Sequence, residues 1–283
     1  MPLLSADISA APPVDHAAVV WAALIALAVA ASGAVLGVLL GRWRQGLPVV
    51  PRREHEPVPW NGFDVLQVLV LHFVVLSLGL SGIRATDGPG KLIPLDLLAK
   101  LVATAFAIAY LLARGASLAD LGLAPLRPAE DLRIACAGVA LLVAPLLALA
   151  GLLNILVPYA HPLVDFMRTH RDPWSIAVVA ASAIVAAPLA EEFFFRRVLQ
   201  GWLQNRLPDH DARAAVAVTA ALFAFAHVGQ GLAFVPLLPL GIVLGVIAQR
   251  TGSIVPCILL HAFFNAVSVA LLVWQTAPLP APT

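Results

Sequence analysis

The stretch Ala187-Pro-Leu-Ala-Glu-Glu-Phe-Phe-Phe-Arg-Arg-Val198 places two adjacent carboxylates and two adjacent guanidiniums within a long apolar run. Charged side chains are costly in hydrocarbon, so they persist there mainly when they are paired or face a wet cavity. The simplest interpretation is that the two glutamates neutralise the two arginines at a membrane boundary. Two further pairs of polar residues elsewhere in the chain, at helical spacing, favour a shared polar site instead.

The composition of the chain is that of a membrane protein. Its 283 residues are 61% hydrophobic and only 12% charged, with a mean hydropathy of +0.93. Soluble domains carry about 25% charged residues. The expected fold is therefore all-α, a polytopic helical membrane protein embedded in the lipid bilayer. The net charge of +1 argues against nucleic acid as a partner, and Cys136 and Cys257 form no metal motif or disulfide framework.

Apolar runs longer than the roughly 18 residues needed to span a bilayer predict about eight transmembrane helices. Their approximate bounds are 17–40, 63–82, 95–113, 132–156, 174–203, 213–228, 232–249 and 254–274. The fifth helix carries the glutamate pair. Residues 157–173 are predicted as a polar connection, and Asp87-Gly-Pro-Gly90 as a turn.

The distribution of basic residues orients these spans, because cytoplasmic loops carry an excess of arginine and lysine. With the N-terminus outside, the inner loops hold twelve arginines and the outer loops four basic residues. The inner residues are Arg42, Arg44, Arg52, Arg53, Arg114, Arg127, Arg133, Arg196, Arg197, Arg206, Arg213 and Arg250, and the outer ones Arg84, Lys91, Arg168 and Arg171. We therefore expect a multi-pass protein of a bacterial-type cell membrane with both termini outside the cytoplasm. Residues 1–16 lack the basic stretch of a secretory signal.

Three histidines lie within the predicted spans. His72 stands alone and is expected to be a helix-contact residue outside any site. His227 lies one turn after Phe223, and His261 lies one turn before Asn265, so each pair shares a helix face. Together with the two glutamates these are too many polar groups for packing alone. One water-accessible intramembrane cavity would satisfy all of them.

Two chemical schemes suit such a cavity, and no serine or cysteine accompanies the histidines in a nucleophile motif. In the first, a carboxylate and an imidazole activate water, while a second histidine and an asparagine amide stabilise the oxyanion. In the second, Glu191, His227 and His261 ligate zinc, leaving one position open for water. Both schemes hydrolyse an amide or ester inside the membrane, and the residues do not separate them.

The order of the polar motifs resembles the CAAX protease and bacteriocin-processing family of intramembrane endopeptidases, which includes the eukaryotic prenyl-protein endopeptidase and the Abi proteins. The matching motifs are Glu191-Glu-Phe-Phe-Phe-Arg196, Phe223-Ala-Phe-Ala-His227 and a third run from Gly245 to Asn265. The loop Ser117–Leu123 also resembles a common family feature, and Pro188 stands where members often carry proline. Arg197 departs from the pattern, since many members have glycine there.

The resemblance divides the chain into three parts. Residues 1–112 hold three unmatched N-terminal helices, residues 113–273 form the protease-like core, and residues 274–283 are a short tail.

The resemblance also implies a role for each matched residue. The implied catalytic residues are Glu191 as base, His227 on the water, and His261 with Asn265 at the oxyanion. The implied supporting residues are Glu192, Arg196 and Phe223. Because Glu191 and Glu192 are about 100° apart on a helix, they cannot point at the same atom. Glu192 is one turn from Arg196 and can pair with it, which leaves Glu191 for the cavity.

An endopeptidase acting on a protein or peptide substrate is the function we expect. The alternative is a non-enzymatic membrane protein, such as a transporter or a bacteriocin-immunity-type binding protein, that uses the same pocket. A transporter would more often show repeat symmetry, which the sequence lacks. A metal-free site with a bound water is favoured over zinc, because no acidic residue is identifiable beside either histidine to support a metal ligand.

The fifth helix is expected to continue to about Leu203. If it ended at Arg196, Glu191 would lie only about 8 Å from the cytoplasmic edge at 1.5 Å per residue. His227, some fourteen residues beyond Arg213, would lie about 21 Å from that edge, so the two could not meet. The longer helix instead puts Glu191 near the middle of the membrane.

Overall fold

The computed structural model describes residues 16–81, 89–159, 161–207 and 212–275, and within these ranges the chain forms helices and no strands. The helices are α1 (His16–Arg44), α2 (Gly62–Leu80), α3 (Pro89–Ala113), α4 (Pro128–Leu156), α5 (Pro162–Thr169), α6 (Pro173–Arg206), α7 (Ala212–Phe225), α8 (Phe234–Thr251) and α9 (Val255–Gln275). Among them, all except α5 and α7 are long and apolar enough to cross a membrane, which makes seven. The prediction of a polytopic helical membrane protein is confirmed.

The sixth predicted span, residues 213–228, corresponds to α7, which is shorter than expected. Its 14 residues cover about 21 Å, less than the roughly 30 Å of a bilayer core. Gly229 and Gly231 adopt φ angles of 104° and 65°, in the region that favours glycine, and the chain turns there before entering α8. The prediction that His227 lies inside a span is therefore wrong, because His227 lies in this turn, two residues past the end of α7.

The segment predicted as a polar connection contains the short helix α5. Phe166 and Met167 are buried against Ile93 of α3 and the start of α6, and this apolar contact explains why the segment is helical. A ring nitrogen of His161 accepts the Leu163 N–H at 3.1 Å and caps the helix. Burial and the nearby positive charge of Lys100 lower the pKa of His161, which keeps the accepting nitrogen free of a proton.

The helix α6 runs well past the predicted minimum. It ends at Arg206, so the prediction that it continues to about Leu203 is confirmed. Its 34 residues span roughly 50 Å, and Glu191 lies near their middle. Two π-helical stretches, Ala181–Ala186 and Phe193–Leu199, flank the glutamate pair. Neither was predicted, and such irregularities occur frequently at functional sites.

Two apolar clusters organise the bundle, and the first of them includes α6. The first joins α2 and α3 to α6 through Trp60, Leu111 and Phe193, and the Trp60 indole N–H donates to the Val198 carbonyl at 3.0 Å. The second joins α4, α8 and α9. The N-terminal helices α2 and α3 share the first of these cores with α6. The division of the chain at residue 112 stays a prediction.

The two ends of the bundle differ in charge. Near the start of α1 and the end of α9, the rings of Trp21 and Trp274 meet with centroids 4.2 Å apart, so both described chain ends lie together. At the opposite end, the Arg53 N–H donates to the Arg250 carbonyl, and the Arg53 side chain pairs with Asp131 at 2.7 Å. We call this the arginine-rich end; it carries Arg42, Arg44, Arg53, Arg133, Arg206 and Arg250.

Several sequence-based expectations fall outside the described ranges. They concern residues 1–15, most of the predicted turn before Pro89, the loop at 208–211 and the tail after Gln275. Where the described part resumes, α3 begins at Pro89 and α4 at Pro128, six and four residues earlier than predicted.

Candidate active site

The second glutamate of the pair, Glu192, forms a fully buried ion pair. The Arg196 Nε–H donates to Glu192 Oε2 at 3.1 Å, and neither side chain is exposed. The one-turn spacing on α6 accounts for this geometry, and the predicted pairing is confirmed. Such a pair in the middle of a membrane protein leaves no net charge to face hydrocarbon.

The other oxygen of Glu192 contacts a histidine. His261 Nδ1 lies 2.8 Å from Glu192 Oε1, and His261 itself is buried. An ionised carboxylate paired with a guanidinium only accepts hydrogen bonds, so Nδ1 carries the proton and donates it. The expectation that neither histidine has an acidic neighbour is therefore wrong. A contact between α6 and α9, 69 residues apart in the chain, cannot be found from spacing within one helix.

The first glutamate, Glu191, approaches the opposite side of the same ring. Glu191 Oε2 lies 3.9 Å from His261 Nε2, and about a quarter of the Glu191 side chain is exposed, at 24%. The two glutamates thus share one imidazole through its two different nitrogens. Glu192 is the inner, buried partner and Glu191 is the one that reaches open space.

The residues of the second motif join this group through an aromatic ring. Phe223 is fully buried, and its ring centroid lies 5.8 Å from that of His261 and 5.1 Å from that of His227. His227 Nδ1 lies 2.9 Å from the Phe223 carbonyl, an acceptor, so this nitrogen also carries the proton. Both histidines therefore present a bare Nε2 when neutral.

The Arg196 guanidinium completes the buried part of the site. Its Cζ lies 4.8 Å from the centroid of the Phe223 ring, a cation–π contact. Its two terminal nitrogens are buried and make no hydrogen bond to any residue that the structure describes. Arg196, Glu192 and His261 form one hydrogen-bonded chain, with Phe223 packed beside it.

Pro188 and Asn265 are linked through the first π-helical stretch. The Ala187 N–H bonds the Ser182 carbonyl, five residues back. The next bond of this pattern would run from residue 188 to the Ala183 carbonyl, but proline has no N–H. The Asn265 amide supplies the missing donor at 2.8 Å. Neighbouring side chains commonly satisfy carbonyls freed by proline in membrane helices.

The loop Ser117–Leu123 fixes α6 relative to α9 at the arginine-rich end. Arg197 donates from Nε to the Asp120 carbonyl, and its terminal nitrogen reaches the Ala119 carbonyl at 3.3 Å. The Gly122 carbonyl accepts from the Ile254 N–H at 3.1 Å and the Ser253 hydroxyl at 3.2 Å. Arg197, the departure from the family pattern, is thus a structural tie between α6 and this loop.

A second polar tie lies one turn further along α6. The Gln200 amide donates to the Gly245 carbonyl at 2.8 Å, and the Thr219 hydroxyl donates to Gln200 Oε1 at 3.2 Å. A Cβ at residue 245 would lie 2.9 Å from Gln200 Oε1 and 3.0 Å from a Val216 methyl, so a larger residue there would displace the Gln200 side chain. Sequence analysis singled out Gly245 but missed Gln200, which no motif marks.

The predicted zinc ligands do not assemble as a metal site. No group of three or more His, Cys, Asp or Glu side chains within the described ranges is placed to hold a metal ion. Nδ1 of His261 is bonded to Glu192, and Nδ1 of His227 is bonded to a carbonyl, so only Nε2 of each ring is free to bind a metal. Glu191, His227 and His261 are not brought together as a three-ligand set, so in this arrangement they do not fit a zinc site.

His72 contributes nothing visible to this group. Its ring packs edge-on against Phe73, its neighbour on α2, at 6.2 Å. Within the described residues, no hydrogen bond or ring contact joins His72 to Glu191, His227, His261 or Asn265.

Comparison with known proteins supports the resemblance. Residues 173–267 match the model of a family described as Rce1-like, type II CAAX prenyl endopeptidase. The matched segment contains all three motifs and ends two residues past Asn265. No curated protein and no solved structure gives a match. The resemblance to CAAX proteases is confirmed by the family match, which supports a membrane-embedded protease at family level.

Proposed function

Taking the family match as premise, we propose that this protein is an intramembrane endopeptidase of the CAAX-protease type, in which Glu191 and His261 activate the attacking water. The observation that carries the proposal is the approach of Glu191 Oε2 to His261 Nε2, at 3.9 Å. It occurs near the middle of the longest helix and at a side chain that is partly exposed. A carboxylate held there serves packing poorly but is well suited to act as a base.

The gap between these two atoms suits one water molecule. A water at ordinary hydrogen-bond distance, about 2.8 Å, from both atoms fits across 3.9 Å. Both neighbours are acceptors, so both hydrogens of the water are engaged, and an oxygen lone pair is left for attack on a carbonyl carbon. The resemblance implies His227 as the histidine on this water, whereas the geometry favours His261.

The proton has a defined route in this arrangement. As the water oxygen bonds to the carbonyl carbon, its proton passes to Glu191 or to His261 Nε2. Glu192 accepts from Nδ1 and stabilises the imidazolium that forms in the second case. When the carbon–nitrogen bond breaks, the same proton passes to the departing amine. No charge is left behind at the end of the cycle.

The oxyanion requires donors, and Asn265 offers one. Only one of its two amide hydrogens is used by the Ala183 carbonyl. Neutral His227 has no proton on Nε2, so it would donate there only as an imidazolium. We therefore assign the oxyanion primarily to Asn265 and give His227 a lesser role in substrate placement.

The proposed substrate is a peptide or protein held at the membrane by an apolar or lipid-modified segment. The name of the matching family supports a prenylated C-terminal segment. The immersion of the site in a bundle of apolar helices supports delivery of the scissile bond from the bilayer. Which protein is cut is a question for substrate trapping with an inactive variant.

Cleavage by the purified protein in lipid vesicles tests the proposal. We expect the wild type to cleave a prenylated fluorogenic peptide, His261→Gln to lose about 10²-fold or more in kcat, and His227→Gln to lose clearly less. His72→Gln is the matched control and should leave the rate unchanged. Equal losses at the two histidines would contradict the assignment of the water to His261.

The alternative function makes a different prediction in the same assay. A transporter or an immunity-type binding protein would bind a peptide without cutting it. Saturable binding by the wild type, with no product at any enzyme concentration, would favour that alternative.

A metal requirement is examined by chelation. We expect unchanged cleavage after chelation. A loss of cleavage that is restored only by zinc would favour the metal scheme.

We also propose that the arginine-rich end faces the cytoplasm. The excess of arginines there and the meeting of Trp21 with Trp274 at the other end support both termini outside. In this orientation α7 and α8 enter and leave the membrane at the arginine-rich end, so that together they do not change the side on which the chain emerges. A C-terminal alkaline phosphatase fusion should be active and a green fluorescent protein fusion dark; the opposite pair of results would reverse the orientation.

A further inference from the structure

A cavity separate from the catalytic group lies at the arginine-rich end. Its volume is about 430 Å³, within the range of small-ligand sites. It opens between the last turn of α1, the turn that follows it, and the last turns of α8. Its lining includes Trp43, Leu47, Val49, Val50, Val246 and Arg250. Apart from Arg250, these side chains are apolar or aromatic.

The wall of the cavity formed by residues 46–50 is a built turn. The Arg42 Nε–H donates to the Pro48 carbonyl at 3.0 Å, and the Leu47 N–H donates to the Arg42 carbonyl at 2.9 Å. Gly46 adopts a φ of 70°, which favours glycine and lets the chain fold back on α1. Hydrogen bonds of the turn itself thus hold the apolar wall in place.

One arginine without an ion pair among the described residues lines the cavity. Arg53 is already neutralised by Asp131 and Glu130. Arg250 lines the cavity, and Arg44 follows the lining residue Trp43 in the chain; neither forms an ion pair within the described ranges. The structure therefore presents an apolar hollow with the available guanidinium of Arg250 in its lining.

The position of the cavity matches the interface between membrane and water. Trp43 is 69% exposed at the end of a transmembrane helix, and tryptophan is enriched at this level of membrane proteins. A ligand there has an apolar part in reach of the hollow and an anionic part in reach of Arg250. An anionic phospholipid has both parts in that order.

We propose that this cavity binds an anionic phospholipid, with its phosphate at Arg250 and its first acyl carbons against Leu47, Val50 and Val246. Basic pockets between helices on the cytoplasmic side are typical sites for such headgroups. The bound lipid would join α1 to α8. The residue before Val246, Gly245, contacts Gln200 of α6, so the lipid lies one contact away from the catalytic helix.

Native mass spectrometry of the purified full chain tests this directly. Phosphatidylglycerol and phosphatidylcholine with identical acyl chains are each titrated in neutral detergent, with inorganic phosphate as a third arm. We expect one tightly held phosphatidylglycerol, and at least roughly fivefold weaker binding of phosphatidylcholine. Equal binding of the two lipids would overturn the proposal, as would competition by millimolar inorganic phosphate, which would identify a free-anion site.

Variants locate the site. Arg250→Gln should weaken phosphatidylglycerol binding roughly fivefold, and Trp43→Ala, at an exposed position of the lining where folding is not at risk, should also weaken it. Arg133→Gln is the matched control, because Arg133 is exposed on α4 at the same end but does not line the cavity. An equal loss in all three variants would show general surface attraction and overturn the proposed site.

Discussion

The arginine side chains in the middle of the bundle differ in burial and pairing from those at its arginine-rich end. In the middle, Arg196 is fully buried and is bonded to Glu192, which is bonded in turn to His261. At the end, Arg44 and Arg133 are exposed and form no ion pair within the described part of the chain. Arginine is therefore part of the buried hydrogen-bonded group in the middle of the bundle, whereas at the arginine-rich end it presents an exposed positive charge.

The difference has an energetic basis. A buried ion pair contributes little net stability, but removal of one partner leaves a charge without solvent and costs about 3–5 kcal/mol. An exposed arginine keeps its water and costs little to remove. Substitutions of similar chemistry in the two regions should therefore differ widely in effect.

The largest expected effect is the loss of cleavage in Glu191→Gln. Glutamine keeps the size and hydrogen bonding of the side chain but cannot take a proton, and removal of a general base costs about 10² to 10⁴ in rate. The side chain is partly exposed and has no arginine partner among the described residues, so the melting temperature should stay near that of the wild type. Peptide cleavage and thermal unfolding are measured on the same preparation. Normal cleavage with reduced stability would make Glu191 the structural member of the pair.

Glu192→Gln is expected to reduce stability as well as rate. It leaves the Arg196 guanidinium buried without its counter-charge, at a cost of about 3–5 kcal/mol. The double variant Glu192→Gln with Arg196→Met should recover part of that stability, because the unpaired charge is gone. Its activity should stay low, since His261 still lacks the carboxylate that stabilises its protonated form. Thermal unfolding of the two variants is the measurement, and equal stability would show that the pair is not energetically coupled.

Sequence reasoning was most successful where a relation lies within one helix. The pairing of Glu192 with Arg196 and the contact of the Phe223 and His227 rings on one face follow from a spacing of four residues, and both are found. The length of α6 was predicted from the depth in the membrane that Glu191 needs in order to meet His227. Such inferences need only the rise and periodicity of an α-helix.

Relations between helices were not accessible in the same way. The bond from Glu192 to His261 depends on how α6 packs against α9. No pattern in the sequence indicates which residues of these two helices face each other. The π-helical stretches shift side chains by a fraction of a turn, which regular periodicity does not anticipate. The early end of α7 was missed because its apolar residues continue past Phe225, whereas the glycines after it end the helix.

A smaller effect is expected where Asn265 replaces the donor that Pro188 lacks. Asn265→Ala leaves the half-buried Ala183 carbonyl without this donor, and an unsatisfied acceptor costs at most about 1–3 kcal/mol, the figure for a buried group. Pro188→Ala restores a backbone N–H at that position. The double variant should therefore be more stable than Asn265→Ala alone, although cleavage should remain reduced because the oxyanion donor is missing. Additive losses of stability in thermal unfolding would show that the two residues are not linked through this carbonyl.

The smallest expected effect is that of Arg133→Gln, a substitution at the arginine-rich end. Arg133 is exposed near the start of α4 and forms no ion pair within the described residues, so its removal takes nothing from the fold. Surface substitutions of this kind usually change the free energy of unfolding by no more than about 0.5 kcal/mol. Arg196→Gln, by contrast, leaves Glu192 buried without its partner and should cost about 3–5 kcal/mol. Both variants are unfolded in neutral detergent, where no anionic lipid contributes to the difference. If the two losses were similar, burial would not be what separates the two regions, and the contrast between paired and free arginines would lose its energetic basis.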